Sequence, residues 1–512
     1  MMLAHTFLLF AIINTMDDDI KNPPENQSTP LPIDQPKTVY ESVPVEENIQ
    51  PEEVSADVSA PSTEEVSSGP PEIPPEMPPP VYEENKNRYI FIVGGGVLVF
   101  VIILFVILRL VMGGGKPKEI KLSYWGLWES EEIMKPLIQD YQNKNPNVII
   151  NYQKMSPQDY KDRLVVRSKN GQGPDIFRFH NTWLPQLEEV VAPLPTNIIN
   201  NSQFESTFHK IHQQDLKLNG RYYGIPLYLD GLVLIYNENM LKKVGFDTAP
   251  ADWNEMIDVA TKLAVKDKDG QLITAGIAIG TASNIEHFSD IFTLMLLQNG
   301  GSLKELDKPE AAGALQAYRQ FAEPPHDVWS ESMPNSIVAF IQEKVGMIIA
   351  PSWWVINIKT ENPDINVKVA PIPRLLSGRP ISMASYWAEG VSKYSKNQLE
   401  AWKFLKFLSE KENMTKLFQL ESQTRPFGEA YSRKDLVSVL ENNEYLKPVI
   451  NQADYYVSSP SAARTYDNGL NDQVIQYLEN AINDTIRGTA YSEALKNIKG
   501  NLDTVFSHYK VN

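Results

Sequence analysis

The sequence predicts an α/β domain carried behind a disordered tail and one membrane-spanning helix. Three observations predict it. An acidic, proline-rich stretch runs from Asp17 to Arg88, and an apolar run follows from Tyr89 to Met112. Beyond Lys118, short apolar runs alternate with amphipathic helical patterns, the signature of an α/β layer architecture.

The tail carries most of the chain's charge. Between Asp17 and Arg88 there are 17 acidic and four basic residues, about −13 of the formal −17, together with 15 of the 37 prolines and neither Trp nor Phe. Such a segment cannot bury enough apolar surface to offset its chain entropy, so disorder is expected over 1–88. Self-repulsion and proline keep it extended, as a spacer or a docking tail. The remainder is nearly neutral and offers no basic surface of the kind that binds nucleic acid. Cysteine is absent, which removes disulfides, thiolate nucleophiles and a cysteine-linked lipid anchor.

Residues 89–112 read YIFIVGGGVLVFVIILFVILRLVM, uncharged up to Arg109. At ~1.5 Å per residue this spans a ~30 Å hydrocarbon core, and a Gly-rich linker, 113–117, follows. Basic residues flank it on both sides: Lys86 and Arg88 before, then Arg109, Lys116, Lys118 and Lys121 after. Local charge alone would place the C-terminal side inside. The run Phe7 to Ile13 lacks the basic flank and cleavage site of a signal peptide, and Met16 is an alternative start.

Within the domain, Lys121 to Trp125 reads as a strand, Glu131 to Asn143 as a helix with Ile133, Leu137, Ile138 and Tyr141 on one face, and Val148 to Tyr152 as the next strand. A third strand, Asp175 to Phe179, leads into a helix near Thr182. Ligands in open α/β sheets sit at strand ends, which marks Trp125 to Glu129 and His180 to Trp183.

Several segments resemble the extracellular solute-binding proteins of the family that includes maltose-binding protein. They are GPDIFRFHNTWLPQLEEVVAPL, GRYYGIPLYLDGLVLIYNENMLKKVGF with APADWNEMIDVATKLA, AFIQEKVGMIIAPSWWVINIK, and VAPIP followed by WAEGVSKYSKNQLEAWKFLKFL. The resemblance covers Lys118 to the C-terminus in the family's order. It implies a two-lobed, periplasmic-binding-protein-like (type II) clamp, with lobe 1 over about 118–229 and 370–424 and lobe 2 over about 230–369 and 425–512. It further implies a bacterial, monomeric clamp that captures a solute between its lobes for the permease subunits of an ABC importer. That role overrides the local charge count and places the N-terminus in the cytoplasm, with 118–512 outside the cell membrane.

All nine tryptophans lie between Trp125 and Trp402. Flat aromatic faces suit the C–H face of a pyranose, and polar side chains suit its hydroxyls. By resemblance and turn position Trp353 and Trp354 are ligand candidates, joined by Trp125, Trp128, Trp183 and Trp387 at other strand tips or loops. Adjacent Trp353 and Trp354 are free to point oppositely. The polar candidates are Glu129, Asn181, Asp230, Glu389, Arg425 and Arg464. Asp230 has hinge stabilisation as its alternative, and the two arginines have surface ion pairing. Helical periodicity assigns Trp253 and Trp402 to the core.

The motifs of serine hydrolases, zinc proteases and phosphate-binding loops are missing, and neither catalytic residue, cofactor nor metal is called for. A carboxylate pair of glycosidase type is the enzyme alternative. His209 and His212 are read as solvated surface, and Tyr455-Tyr456 is noted because some related clamps bind iron through tyrosines. The expectation is therefore a carbohydrate receptor. Its alternatives are a membrane-tethered ligand sensor and a clamp for ferric ion, a polyol or a peptide.

Overall fold

A computed structural model describes residues 100–104, 118–375 and 378–511. The tail expected over 1–88 and most of the span expected over 89–112 lie outside these residues. Residues 100–104 are helical, and Phe100 to Leu104 are exposed. Among the described residues, no helix is long and apolar enough to cross a membrane.

The domain opens with the expected unit: β1 (Ile120–Gly126), α1 (Glu131–Lys144) and β2 (Val148–Lys154). Met134, Leu137, Ile138 and Tyr141 form the buried face of α1, so the stripe is the one read from the sequence with Met134 in place of Ile133. Then come α2 (Tyr160–Lys169), β3 (Ile176–His180), α3 (Lys210–Asp215) and β4 (Ile225–Pro226). The second lobe contributes β5 (Leu232–Asn237), α4 (Trp253–Leu263), β6 (Val265–Lys266), β7 (Leu272–Ile277), α5 (Phe288–Gln298), β8 (Val345–Pro351), α6 (Trp354–Glu361), β9 (Val367–Ala370) and β10 (Ser382–Met383). The chain returns through β11 (Trp387–Val391), α7 (Gln398–Leu408) and α8 (Lys411–Glu421). It ends in the second lobe with β12 (Tyr456–Val457), α9 (Leu470–Ile486) and α10 (Tyr491–His508).

Two five-stranded sheets result, in the orders β2-β1-β3-β11-β4 and β9-β5-β8-β7-β6. Strands β1, β2 and β3 are parallel, while β11 runs antiparallel to both β3 and β4. Each sheet has its own core. Leu122, Phe177, Phe179 and Trp402 belong to the first, and Leu234, Ile277, Met347 and Trp329 to the second. Trp402 is 0% exposed and Trp253 8%, as their helical periodicity requires.

Three segments pass between the lobes. Residues 227–231 run from β4 to β5 and lie between the other two: Tyr228 bridges Tyr431, and Gly231 bridges Ala384. The Leu229 amide donates to the Ala430 carbonyl at 2.8 Å, and the Ser385 amide to the Asp230 carbonyl at 3.0 Å. Gly231 is required here because a Cβ would stand 2.2 Å from the Met383 carbonyl and 2.4 Å from the Tyr456 ring.

The boundary expected near 370 falls elsewhere. Strand β9 pairs with β5 of the second sheet, β10 pairs with β12, and the chain reaches the first sheet only at Trp387. The apolar VAPIP segment, expected by resemblance to begin the return crossing, instead starts in the edge strand of the second sheet. Replacing Trp402 by alanine empties the centre of the first core and is expected to lower stability by about 3–5 kcal/mol, read by urea unfolding.

Candidate functional site

The first lobe's wall is built on Arg178. This side chain, 0% exposed, projects from the middle of β3, where every residue is buried. Its Nε donates to Glu389 Oε1 at 2.6 Å, and its Nη1 donates to Glu129 Oε2. Glu129 follows Trp128 directly, and Glu389 lies two residues beyond Trp387, so one guanidinium fixes the segments carrying both indoles. Those rings meet edge to face at 5.5 Å, and Trp387 is backed by Trp183 at 5.2 Å and His180 at 5.1 Å.

The ion cluster extends to the hinge. The Tyr228 hydroxyl lies 3.0 Å from both Glu129 Oε1 and Glu421 Oε1, and Arg425 pairs with Glu421 at 3.0 Å and Glu429 at 3.3 Å. Four carboxyl groups thus share two guanidiniums. Burial would raise Glu129, but Arg178 and Arg425 outweigh it and hold its carboxyl below the usual range. For Glu389 and Glu429 burial wins and raises the pKa; Glu421, also buried and facing Glu129 and Glu429, is pushed up to about 7. The single Tyr228 proton cannot serve two carboxylates fully, which accords with the raised pKa of Glu421.

The second lobe's wall is the turn after β8. Trp353 and Trp354 do not point oppositely: their rings stack at 4.5 Å and 26°. Helix α6 begins at Trp354, which keeps the pair on adjacent positions of one tight turn. Asp230 holds this turn from the hinge. Its Oδ1 accepts from the Gly231 amide at 2.7 Å and the Ser352 amide at 3.2 Å, and its Oδ2 from the Trp353 amide at 3.2 Å. Burial pushes Asp230 up to about 7. Its position at the start of α6 suits a carboxylate on dipole grounds.

A loop of the second lobe joins the two walls. Arg464 lies 5.7 Å over the Trp354 ring, pairs with Glu286 and lies 3.3 Å from the Tyr466 hydroxyl. Tyr466 in turn reaches Trp128 at 6.5 Å. Arg464, Tyr466 and Asn468 all have positive φ, at 62°, 55° and 47°, a conformation that costs non-glycine residues energy and concentrates at functional sites. Further bonds close the lobes. Asn181 Nδ2 donates to Ser458 Oγ at 2.8 Å, Ser458 Oγ donates to Asp215 Oδ2 at 2.6 Å, and Gln186 Nε2 donates to Asp467 Oδ2 at 2.7 Å.

The candidates therefore separate. Trp128, Trp353, Trp354, Trp387 and Arg464 come together as partly exposed groups along the lobe boundary. Trp125 and Trp183 do not: at 7% and 0% exposure they belong to the first core, because a place near a strand tip does not decide which way the side chain faces. Glu129 and Glu389 are committed to Arg178. Arg425 is held in the buried ion cluster rather than in a surface pair, Asp230 caps the turn, and Asn181 bridges the lobes.

His209 and His212, read as surface, are 4% and 0% exposed beneath the hinge. Burial lowers both, His209 to about 4. Tyr456 is buried against Gly231, and among the described residues no cluster of three or more metal-ligating groups occurs. Arg178, Tyr228, His287 and Tyr466 are not among the residues expected from the sequence. Of these, only Arg178 was signalled, as a charge inside the apolar run Ile176–His180.

The model of the family described as bacterial extracellular solute-binding protein matches residues 136–438, more than half of the chain. This chain belongs to that family. It is similar to a binding protein of Brucella abortus (strain 2308), 25% identical over 295 residues, which cover 57% of this chain and 71% of that one. It is also similar to the multiple sugar-binding protein of Streptococcus mutans, 22% identical over 305 residues, 57% and 71% of the two chains. The crystal structure of a cyclo/maltodextrin-binding protein complexed with maltotetraose shares the fold, with a TM-score of 0.63 at 19% identity over 77% of this chain and 99% of that one.

Two predictions follow from the charge cluster. Arg178→Met leaves Glu129 and Glu389 buried without their cation and is expected to cost about 3–5 kcal/mol in urea unfolding. A carboxyl raised in the folded state stabilises fully below its free pKa and loses that contribution as pH rises through the folded value. For Glu421 the loss runs from 4.5 to about 7. Across that window the melting temperature of Glu421→Gln is expected to change less with pH than that of the parent chain.

Proposed function

We propose that this protein captures a carbohydrate between its two lobes and presents the closed clamp to the permease of an ABC importer, without chemistry on the solute. One observation carries the reading. Indole pairs occupy both lobes, Trp128 with Trp387 on one side and Trp353 with Trp354 on the other, joined by Arg464 and Tyr466. Aromatic faces with hydrogen-bonding groups at their edges match the two kinds of surface on a pyranose. The sugar named for the Streptococcus mutans relative and the maltotetraose in the similar crystal structure agree with it.

Capture works by population shift. A solute touching both walls binds the shut clamp better than the open one and is stabilised by that difference. The apolar run 89–112 would anchor the clamp in the cell membrane, with residues 118–512 outside and the acidic tail inside. Reporter fusions after Gly115 test this topology: activity on the cytoplasmic side rejects it.

A thermal-shift screen of the full chain in detergent against maltotetraose, monosaccharides, polyols, peptides and ferric ion tests the ligand class. A ligand at 100 times its Kd adds about 2.7 kcal/mol. A response confined to ferric ion or peptides rejects the carbohydrate. Trp353→Ala and Trp128→Ala are each expected to weaken the responding sugar by about 1 kcal/mol, by fluorescence titration, with melting of the free protein little changed.

A further inference from the structure

The second wall depends on a residue that touches no solute in this reading. His287 stands immediately before α5, 2% exposed, with its ring edge-on to Trp354 at 6.4 Å. The Trp354 indole Nε1–H donates to His287 Nε2 at 2.9 Å. An indole nitrogen only donates, so Nε2 must be the unprotonated, accepting nitrogen. The proton then sits on Nδ1, which lies 2.9 Å from Asp290 Oδ2. Asp290 is itself 2% exposed, and its Oδ2 also accepts from the Ala463 amide at 3.1 Å.

The start of α5 therefore grips both halves of the wall. His287 takes Trp354; Asp290 takes the backbone beside Arg464; Ser289 Oγ donates to the Ser461 carbonyl at 2.8 Å; and Glu286 pairs with Arg464. The charged groups around the imidazole are Asp290, Glu286 and Arg464.

We propose that His287 is a positioning residue. As the neutral Nδ1–H tautomer, selected by Asp290, it fixes the plane of Trp354 and so sets the geometry of the second wall. The wall's role in holding carbohydrate rests on the proposed function; the tautomer and its hold on the indole do not.

The test uses the full chain in detergent. Nitrogen-15 NMR of the unliganded protein is expected to show His287 Nε2 without a proton, and a Trp354 indole resonance that moves in His287→Phe. Asp290→Asn presents an amide donor to Nδ1, favours the other tautomer and is expected to move the same resonance. His287→Gln places an acceptor near the old Nε2 and is expected to restore it. Affinity for maltotetraose should fall about five- to tenfold in the first two variants and recover in His287→Gln, the size expected for one neutral hydrogen bond.

A protonated Nε2, or an indole resonance unmoved in His287→Phe, overturns the proposal. So does a moved resonance with unchanged affinity. If maltotetraose does not bind the parent chain, the carbohydrate reading fails for that sugar, and the NMR result still decides the tautomer.

Discussion

Arg178 is the constraint on which the first half of the clamp is arranged. A guanidinium at the centre of a buried strand must be paired, because its desolvation is otherwise prohibitive. Its partners, Glu129 in the loop after β1 and Glu389 on β11, each lie one or two residues from an indole of the site. The requirement to satisfy one buried charge thereby sets the positions of Trp128 and Trp387. Through Tyr228 the same cluster reaches the hinge, so wall and hinge share one set of hydrogen bonds.

The second wall uses a different solution. Asp230 supplies acceptors to the backbone of the Trp353 turn, and the start of α5 supplies neutral and charged partners to Trp354 and the Arg464 loop. Asp230 belongs to the middle crossing segment, so the hinge itself supplies the cap of the turn.

Much of this was legible. Period-two and period-3.6 patterns located β1, α1, β2 and β3 within a residue or two, and the ordered segments named the family. Trp128, Trp353 and Trp387 stood out because turns and strand ends limit where a side chain can go, and Asp230 by its place at the crossing between lobes; Arg464 makes the ion pair that was its alternative, with Glu286. Trp125 and Trp183 misled because burial depends on which face of the sheet is covered, a property of distant chain. The burial of His209 and His212 has the same origin: one face at the start of a six-residue helix is covered only by chain distant in sequence. Tyr466 carried no signal at all, since its left-handed backbone is imposed by contacts on either side rather than by its own preference.

The triple crossing of the hinge has a bearing on how the chain acquires its shape. In the first sheet β4 pairs only with β11, and β11 lies some 160 residues further along the chain. Strand β4 therefore has no neighbour until the sequence through Val391 is available, by which point all five strands of the second sheet have been made. Such long-range pairing slows folding, because the entropy of closing a large loop is spent before any contact compensates it. During vectorial synthesis, neither lobe can complete itself early. A chain built this way gains its final order late, with both lobes maturing together.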